Sequence, residues 1–589
     1  MVGSWRSILA LIVFFLTNIV GVFPFKVSIP VSTPVINTLT AKAAVFLRVC
    51  LPSGLCCKDH PKVAPGQERE RRPVVIWSSV TIGFQTVPLI SVLLLLATGV
   101  LHGKEIREGI SGTNGIQPLD IMALFISLAY LAISLDTTGL FRFLAFWVVR
   151  KGGSSGKRLY LYLYSFFFAA GILVGNDPVV LFGTPFLAYF STASGIVPPT
   201  AWVFAQFMVA NTAAAVLPSA NLTNLVLTGA FSLSYITYAV HAILPTLATG
   251  VALYPILAFV LFKSEKYVPR QIDVVEFQHP HGETANAPAP DELTDKKGAI
   301  FGSTLLAVTL AVLVGTSPLK IPVWMVTVPP ALIMLARDIW HDRHLWKKQP
   351  GAEQCCPEPM NCVPMQTVSS TAKSCKTTMD SIVEKPVENF TRAHQPTLDS
   401  WYQNVTKNTL PTVSTIAPRL PISLVLFAFC MFILVQALTT QGWVEVFSGW
   451  WSAWIHVCEK VGTGFATAGA VYGMLVVSTF LCNICGTNIG ATILLARVLQ
   501  SWLSAAAPNT VDPKVRLGAI YALALGTNFG AYTFSFSASL AGLLWRDILR
   551  QKGISVSQRQ FALFNLPSIA VAVVVSGAIL IAQVHVVPR

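Results

Sequence analysis

The chain has 589 residues, of which 53% are hydrophobic and only 12% are charged, and its mean hydropathy is +0.62. Soluble domains carry about 25% charged residues, so this composition excludes a soluble globular enzyme, a disordered protein and a nucleic-acid-binding module. The formal net charge of +14 does not predict a nucleic-acid partner, because an excess of Lys and Arg in a membrane protein typically marks the cytoplasmic loops. The length predicts a polytopic transporter or channel.

Long apolar segments predict membrane spans, since a helix needs about 20 mostly apolar residues to cross a bilayer. We interpret the first segment as a retained span and not as a signal peptide, because no small-residue cleavage site follows it. The candidate segments are 5–25, 74–101, 118–138, 158–175, 179–192, 200–217, 236–262, 300–316, 322–340, 420–440, 462–482, 489–504, 514–532 and 562–586.

Three polar stretches separate the apolar segments. Residues 31–73 read as an insertion, residues 263–297 as a cytoplasmic linker, and residues 341–419 as a disordered cytoplasmic loop without apolar periodicity. We therefore expect a first transmembrane repeat at 1–262 and a second at 298–589.

Short motifs recur in the same order in the two halves of the sequence. Their common order predicts an internal repeat, and transporters built from two such halves usually hold the substrate between them near mid-membrane. The matched pairs are Pro24 to Val27 with Pro318 to Ile321, Thr86 to Pro88 with Thr327 to Pro329, Gly139 with Gly442, Asn176 with Asn483, and Asn211 with Asn528.

Helix-breaking residues indicate where the chain turns inside the membrane. The motif Gly175-Asn176-Asp177-Pro178 interrupts the apolar stretch 158–192, and irregular backbone at this depth is tolerated only where it lines a cavity or is buried in protein. We interpret this stretch as one re-entrant hairpin and segment 200–232 as one span broken near Asn211 to Asn224. Each half then has five transmembrane helices, one hairpin and one broken helix, and the odd number of crossings inverts the second half.

The distribution of basic residues tests this topology independently. With five-span halves, one face receives 32 of the 41 Lys and Arg residues, and cytoplasmic loops carry such an excess. Both termini are therefore predicted on the non-cytoplasmic side, the first hairpin enters from the cytoplasm, and the second enters from the opposite face. The membrane itself, plasma membrane or organelle membrane, stays open.

Asp177 is the residue for which we expect a coupling role, since an ionisable side chain inside the membrane is by default a functional-site hypothesis. Its carboxyl group can take up a proton or hold a cation during the transport cycle. The structural alternative is that Asp177 caps the second hairpin arm, because Asp is favoured at such positions.

Neutral polar residues cluster at the same breaks and hairpins. Together with exposed helix N-termini, they suit an anion or a polar neutral solute better than a bare metal ion. Alternatively, small polar residues simply hold helices together. No catalytic residue, metal ligand or cofactor is predicted. The predicted substrate-binding residues are Asn176, Asp177, Asn211, Thr212, Asn221, Asn224, Asn483, Thr487, Asn488, Asn528, Ser537 and Ser539.

In each half, one short aromatic-rich segment follows a glycine. These segments run from Leu140 to Val149 and from Trp443 to Trp454. Because Trp and other aromatic residues concentrate at the membrane surface, these segments predict helices that lie in the interface.

Several segments resemble one transporter family. The sequences at 135–160, 175–190 (GNDPVVLFGTPFLAYF), 209–231 and 535–553 are similar to those of the arsenite efflux permeases. Those permeases belong to the ion transporter superfamily, whose members have citrate-transporter-like domains. The resemblance implies two inverted halves, paired hairpins, a homodimer and alternating access by a moving, substrate-bearing domain.

We therefore predict a secondary active transporter in the lipid bilayer, for a small inorganic anion or an arsenite-like metalloid oxyacid, coupled to protons. The alternatives are a sodium/proton antiporter and a sodium-coupled carboxylate or sulfate carrier. The scarcity of intramembrane Lys and Arg argues against a multiply charged substrate. A further alternative, of another class, is a membrane scaffold or regulator that lost transport and acts through the loop at 341–419.

Overall fold

The computed structural model describes residues 2–22, 25–32, 75–113, 115–272, 293–316, 319, 321–347, 410–506 and 511–586. Within these residues the regular structure is helical except for one two-stranded sheet, and eight helices are long and apolar enough to cross a membrane. The chain is an all-α polytopic membrane protein, as predicted.

In the first half, a 3-10 turn at Pro218–Ala220 separates α8 from α9, and a π-helical stretch at Ile256–Leu261 continues α10. β1 (Phe25–Ser32) and β2 (Val75–Ile82) pair antiparallel. The helices are α1 (Trp5–Val22), α2 (Val87–Ala97), α3 (Gly103–Ser111), α4 (Pro118–Thr137), α5 (Leu140–Gly152), α6 (Gly156–Val174), α7 (Asn176–Ala193), α8 (Thr200–Ala213), α9 (Leu222–Ala230) and α10 (Tyr235–Pro255).

In the second half, 3-10 turns lie at Ala417–Arg419 and at Phe536–Ala538. The helices are α11 (Lys296–Thr316), α12 (Val323–Lys347), α13 (Pro411–Ile416), α14 (Ile422–Thr440), α15 (Trp443–Val461), α16 (Thr463–Ile484), α17 (Asn488–Ala505), α18 (Pro513–Gly530), α19 (Leu540–Gln551) and α20 (Gln558–Val586).

The chain divides into a large unit, Met1–Met334 with Arg419–Arg589, and a small unit, Leu335–Pro418. In the small unit the buried Asp342 carboxylate accepts hydrogen bonds from the backbone N–H groups of Thr412 (3.0 Å) and Val413 (3.2 Å) at the start of α13. The insertion predicted at 31–73 and most of the loop predicted at 341–419 lie outside the described residues.

The span predicted at 74–101 is wrong in its first part. Val75–Ile82 is a strand, paired from Phe25↔Ile82 to Ser32↔Val75, because its β-branched and aromatic residues favour a pleated surface over a helix. Helix α2 begins only at Val87, where Pro88 supplies a φ suited to the first turn. With 11 residues, α2 is too short to cross a bilayer alone.

The two aromatic-rich segments are helices α5 and α15, and each follows a glycine in the left-handed conformation. Gly139 has φ 83° and ψ 5°, and Gly442 has φ 84° and ψ 8°. Glycine adopts these angles without a Cβ penalty, so the chain turns sharply out of α4 and out of α14. The two matched glycines therefore have the same local structure.

Small residues bring the hairpin helices close to the helices that carry the breaks. On α6, a Cβ added at Gly171 would lie 2.9 Å from Ala213 Cβ and 3.2 Å from the Ala210 carbonyl oxygen of α8. In the second half the glycine is on the other helix, since a Cβ at Gly530 of α18 would lie 2.9 Å from Cys482 Cβ of α16. In each half, the close contact places the first arm of the hairpin beside the helix that precedes the break.

Candidate functional site

The first break lies between α8 and α9, where all the predicted site residues are buried. Asn221 caps α9, and its side-chain oxygen accepts from the Thr223 backbone N–H at 3.3 Å. The Asn224 amide donates to the carbonyl oxygens of Ala214 (2.7 Å) and Leu217 (2.9 Å). Two carbonyls that lose helical partners at the break are thus satisfied by one side chain, as irregular backbone inside a membrane requires.

The second break lies between α18 and α19 and uses hydroxyl groups. Ser539 caps α19, accepting from the Gly542 backbone N–H at 3.0 Å, and its own hydroxyl donates to the Ala531 carbonyl at 3.0 Å. One turn earlier, the hydroxyls of Ser535 and Ser537 lie 2.5 Å apart. The predicted Ser537 and Ser539 therefore stabilise this break.

Three asparagines join the two halves. The Asn221 amide donates to Asn528 Oδ1 at 2.8 Å, and the Asn528 amide donates to Asn224 Oδ1 at 2.8 Å. We call these three residues the asparagine bridge. Beside it, the hydroxyls of Thr212 and Tyr532 lie 3.0 Å apart. The first break thus contacts the end of α18, the helix before the second break.

The tip of the first hairpin is docked on the first break. Gly175 has φ 90°, and a Cβ on it would clash with the Ala220 carbonyl oxygen, so only glycine fits this close approach. The next residue, Asn176, donates to Asn211 Oδ1 at 2.9 Å, and Asn211 in turn donates to the Phe207 carbonyl of its own helix at 2.8 Å. The hydrogen bond between Asn176 and Asn211 therefore joins the hairpin tip to the first break.

Asp177 lies in the first turn of α7, half-buried, beside the docked Asn176. In the part of the chain that the structure describes, its carboxylate makes no hydrogen bond and no ion pair, and no side-chain cap bond forms at the start of α7. The capping alternative therefore has no side-chain hydrogen bond to support it.

The second hairpin shows which residue corresponds to Asn176. Thr487 caps α17 by accepting from the Gly490 backbone N–H at 3.3 Å, and Asn488 is the buried first residue of the helix. Asn488, not the predicted Asn483, has the position that Asn176 has in α7. Asn483 lies in the last turn of α16, where its amide donates to Thr533 Oγ1 at 2.7 Å and its oxygen accepts from the Ser535 N–H at 3.2 Å.

Arg497 is a buried residue that the sequence analysis missed. It lies on α17, donates to Thr113 Oγ1 at 2.7 Å, and forms no ion pair within the described ranges. The same rule that identified Asp177, a charged residue inside an apolar segment, would have found it. Tyr532 was missed as well, and no feature of the sequence signals its bond across the two halves.

Except for Asp177 and Arg497, the polar side chains described at the breaks and hairpins are neutral. Amides and hydroxyls offer both donors and acceptors, whereas a bare cation needs a shell of oxygen acceptors. The arrangement is chemically suited to a small solute that presents hydroxyl groups, with one carboxyl group nearby to take up a proton.

Comparisons with known proteins find one matching family model and several proteins of similar sequence. A family model described as citrate transporter (CitMHS) matches residues 74–348. Proteins named arsenical pump membrane protein from Escherichia coli (strain K12) and Shigella flexneri are each 28% identical over 266 residues, which is 44% of this chain and 57% of theirs. One from Yersinia enterocolitica is 28% identical over 265 residues, 45% of this chain and 58% of its own length. The match thus spans little more than half the length of these relatives.

Two solved transporter structures align along nearly the whole chain at low similarity. The YdaH transporter of Alcanivorax borkumensis is 12% identical, with a TM-score of 0.44 and coverage of 98% of this chain and 97% of its own. MtrF of Neisseria gonorrhoeae is 14% identical, with a TM-score of 0.42 and coverage of 99% and 96%. These scores are too low to show a shared fold.

Proposed function

We propose that this chain, of which residues 74–348 match a citrate transporter family model, is a secondary transporter for an arsenite-like metalloid oxyacid or a small inorganic anion, coupled to protons. The observation that carries the proposal is the asparagine bridge, a buried set of neutral donors and acceptors shared by both halves. Relatives named arsenical pump membrane protein support the metalloid within this class. A neutral hydroxylated species such as As(OH)3 needs hydrogen-bond partners and no fixed counter-charge.

In this proposal the solute exchanges hydrogen bonds with the bridge and with the residues at the hairpin tips. Asp177 takes up a proton on one side of the membrane and releases it on the other. Alternating access follows if the hairpins and broken helices move together against the remaining helices. The Asn176–Asn211 bond and the close contact of Gly175 with Ala220 would make the first hairpin and the first break move as one body.

The proposed inverted topology has support in the loops that meet at one end of the large unit. Gly156, which begins α6, donates from its backbone N–H to the Arg270 carbonyl at 3.1 Å. Trp202, which follows the first hairpin, donates from Nε1 to the Tyr267 carbonyl at 3.0 Å. Both ends of the first hairpin therefore contact the loop after α10, on the face proposed to be cytoplasmic.

Other contacts mark the opposite end. Ser7, at the start of α1, donates to the Gln441 carbonyl at 3.0 Å, and Trp443 donates to the Ser7 carbonyl at 2.8 Å. These contacts place the first residues of α1 with the turn into α15, just before the second hairpin. This supports a non-cytoplasmic N-terminus and a second hairpin that enters from that side.

Proton coupling is favoured over sodium coupling by the state of the carbonyl groups at the breaks. A sodium site there would use carbonyl oxygens freed from helical hydrogen bonds. The carbonyls of Ala214 and Leu217 accept from Asn224, and that of Ala531 accepts from Ser539. These three carbonyl oxygens thus already accept hydrogen bonds from side chains.

We also propose that the transporter is a homodimer, as the family resemblance implies. Large apolar side chains on α15 are exposed, among them Trp450, Trp454 and Val457. In our proposal they contact the lipid bilayer or the second copy.

The test is arsenite flux in sealed vesicles that contain the purified chain. An imposed pH gradient should drive arsenite accumulation, and exchange of sodium for potassium should leave it unchanged. Accumulation that follows a sodium gradient instead would favour the sodium-coupled alternative. Absence of flux for arsenite and for a panel of small oxyanions would contradict the proposed function.

A further inference from the structure

Helix α20 carries a pair of polar side chains that no described residue satisfies. Asn565 and Ser568 are both fully buried, at 0% exposure. Within the described part of the chain, neither the amide nitrogen nor the amide oxygen of Asn565 makes a hydrogen bond. The Ser568 hydroxyl has no partner there either. Buried polar side chains nearly always have a partner, since leaving one without any is costly. Asn565 and Ser568 are three residues apart, so together they present several unpartnered hydrogen-bonding groups on one face of the helix, where one ligand can reach both.

A third unpartnered group lies close by. Asn565 follows Phe561 by one helical turn, so the two side chains are on the same face of α20. The Phe561 ring is 5.9 Å from that of Trp545 and 4.3 Å from that of Phe536. Trp545 is fully buried, and its indole N–H makes no hydrogen bond to any described residue. Asn565 and Trp545 thus both lie beside Phe561, and Ser568 lies one turn further along α20.

A cavity lies beside this aromatic cluster, and the loop after α10 forms part of its wall. It has a volume of about 260 Å³, and its wall includes Lys266, Gln560, Phe204 and Phe564. Phe564 directly precedes Asn565, and Phe204 packs against both Phe564 (5.2 Å) and Trp545 (5.1 Å). Phe204 and Phe564 therefore connect the cavity wall with Trp545 and with the segment of α20 that carries Asn565.

We propose that Asn565, Ser568 and Trp545 form a second solute site, which we call the inner station, between the cavity and the asparagine bridge. All three groups are uncharged, and together they supply donors and acceptors but no counter-ion. The ligand class is therefore a small neutral molecule with several hydroxyl groups, such as a metalloid hydroxide. The station deepens the proposed function and rests on it, because it gives the same solute a stop before the bridge.

The station predicts a weaker affinity for arsenite when a single group is removed. Trp545→Phe keeps an aromatic ring in the cluster and removes only the indole N–H, while Ser568→Ala removes only the hydroxyl. The loss of one hydrogen bond to the solute corresponds to about a three- to tenfold rise in KM for arsenite in vesicles. Vmax per folded transporter should stay within about twofold of the wild type, because neither variant touches the bridge or Asp177.

Ser576→Ala is the matched control. Ser576 is a fully buried serine on the same helix, and its hydroxyl likewise lacks a partner among the described residues. It lies two turns beyond Ser568, so the station predicts no change in KM. A wild-type KM in both Trp545→Phe and Ser568→Ala would overturn the station, and so would an equal rise in Ser576→Ala.

Direct binding separates the failure of the station from the failure of the proposed function. Arsenite binding is measured on the purified full chain in lipid nanodiscs, where the thiol background is common to all variants. Binding that Trp545→Phe and Ser568→Ala weaken, without any flux in vesicles, would support the station and contradict transport. Flux with unchanged affinity in both variants would support transport and contradict the station. Neither binding nor flux in the wild type would overturn both.

Discussion

The two helix breaks satisfy their free backbone groups with different side chains, amides in the first and hydroxyls in the second. In the first, the side chains of Asn221 and Asn224 cap a helix and satisfy free carbonyls, and each also reaches Asn528 in the other half. In the second, Ser539 caps α19 and bonds to Ala531, eight residues away in its own half. An amide has a donor and an acceptor on separate atoms, whereas a hydroxyl has one oxygen. Amides therefore let the first break reach Asn528 in the other half, whereas Ser539 bonds within its own half and, in the second break, the Tyr532 hydroxyl reaches Thr212.

Because of this difference, we expect the two breaks to have different roles. The amide-built break holds the two halves in register and presents donors and acceptors where they meet. The hydroxyl-built break stabilises its own helix and lies next to the unpartnered groups of the inner station. Substitutions of these groups should therefore have effects on stability and flux that differ in size between the two breaks.

The largest effect is expected for Asn528→Leu, which removes the centre of the asparagine bridge. It leaves the Asn221 amide without an acceptor and leaves Asn224 Oδ1 with only the 3.4 Å bond from the Thr223 hydroxyl, at a cost of about 1–3 kcal/mol for each lost partner. The apparent Tm in detergent should fall strongly, and arsenite flux should be lost. The neighbouring Thr527→Val removes only hydrogen bonds to the Leu523 (3.0 Å) and Ala524 (3.2 Å) carbonyls of the same helix and should have little effect. Equal effects of the two variants would argue against a special role for the bridge.

A smaller effect is expected for Gly175→Ala, which tests the docking of the first hairpin on the amide-built break. The residue has φ 90°, and the added Cβ would meet the Ala220 carbonyl, so strain of about 1–3 kcal/mol is expected. Flux should fall with stability because the Asn176–Asn211 contact is displaced. Gly99→Ala is the control, since Gly99 has φ 68° with open space around it. If both variants lose stability and flux equally, the close approach at Ala220 has no importance.

The smallest effect is expected for Ser539→Ala at the hydroxyl-built break. Loss of a helix cap costs about 1 kcal/mol, and no contact between the halves is removed. The apparent Tm should fall slightly while flux persists, and Ser539→Asn, which can still cap, should retain more stability. A collapse of flux in Ser539→Ala comparable to that in Asn528→Leu would show that Ser539 also supports the connection between the halves.

Much of this arrangement was predictable because helix breaks inside apolar segments have few solutions. Gly175, Asn211 and Asn528 stand out in the sequence for that reason, and the structure places each at a hairpin tip or helix end. The match of Asn176 with Asn483 missed the structural counterpart, Asn488, which lies five residues further along the chain. Asn483 and Asn488 flank the turn at Gly486, and spacing alone does not distinguish them.

Other features depend on tertiary contacts that no local pattern records. The strand at Val75–Ile82 forms because β1, more than forty residues earlier, pairs with it. Asn565 resembles any small polar residue that holds helices together until its lack of partners is visible in the fold. Arg497 was predictable in principle, from its charge within an apolar segment.

The central claim, proton-coupled transport through Asp177, is tested most directly by arsenite accumulation in sealed vesicles under an imposed pH gradient. Asp177→Asn should abolish gradient-driven accumulation, because an amide does not exchange a proton in this pH range. Asp120→Asn, which alters a half-buried acid in the first turn of α4, should behave as the wild type. Full gradient-driven accumulation in Asp177→Asn would contradict the claim.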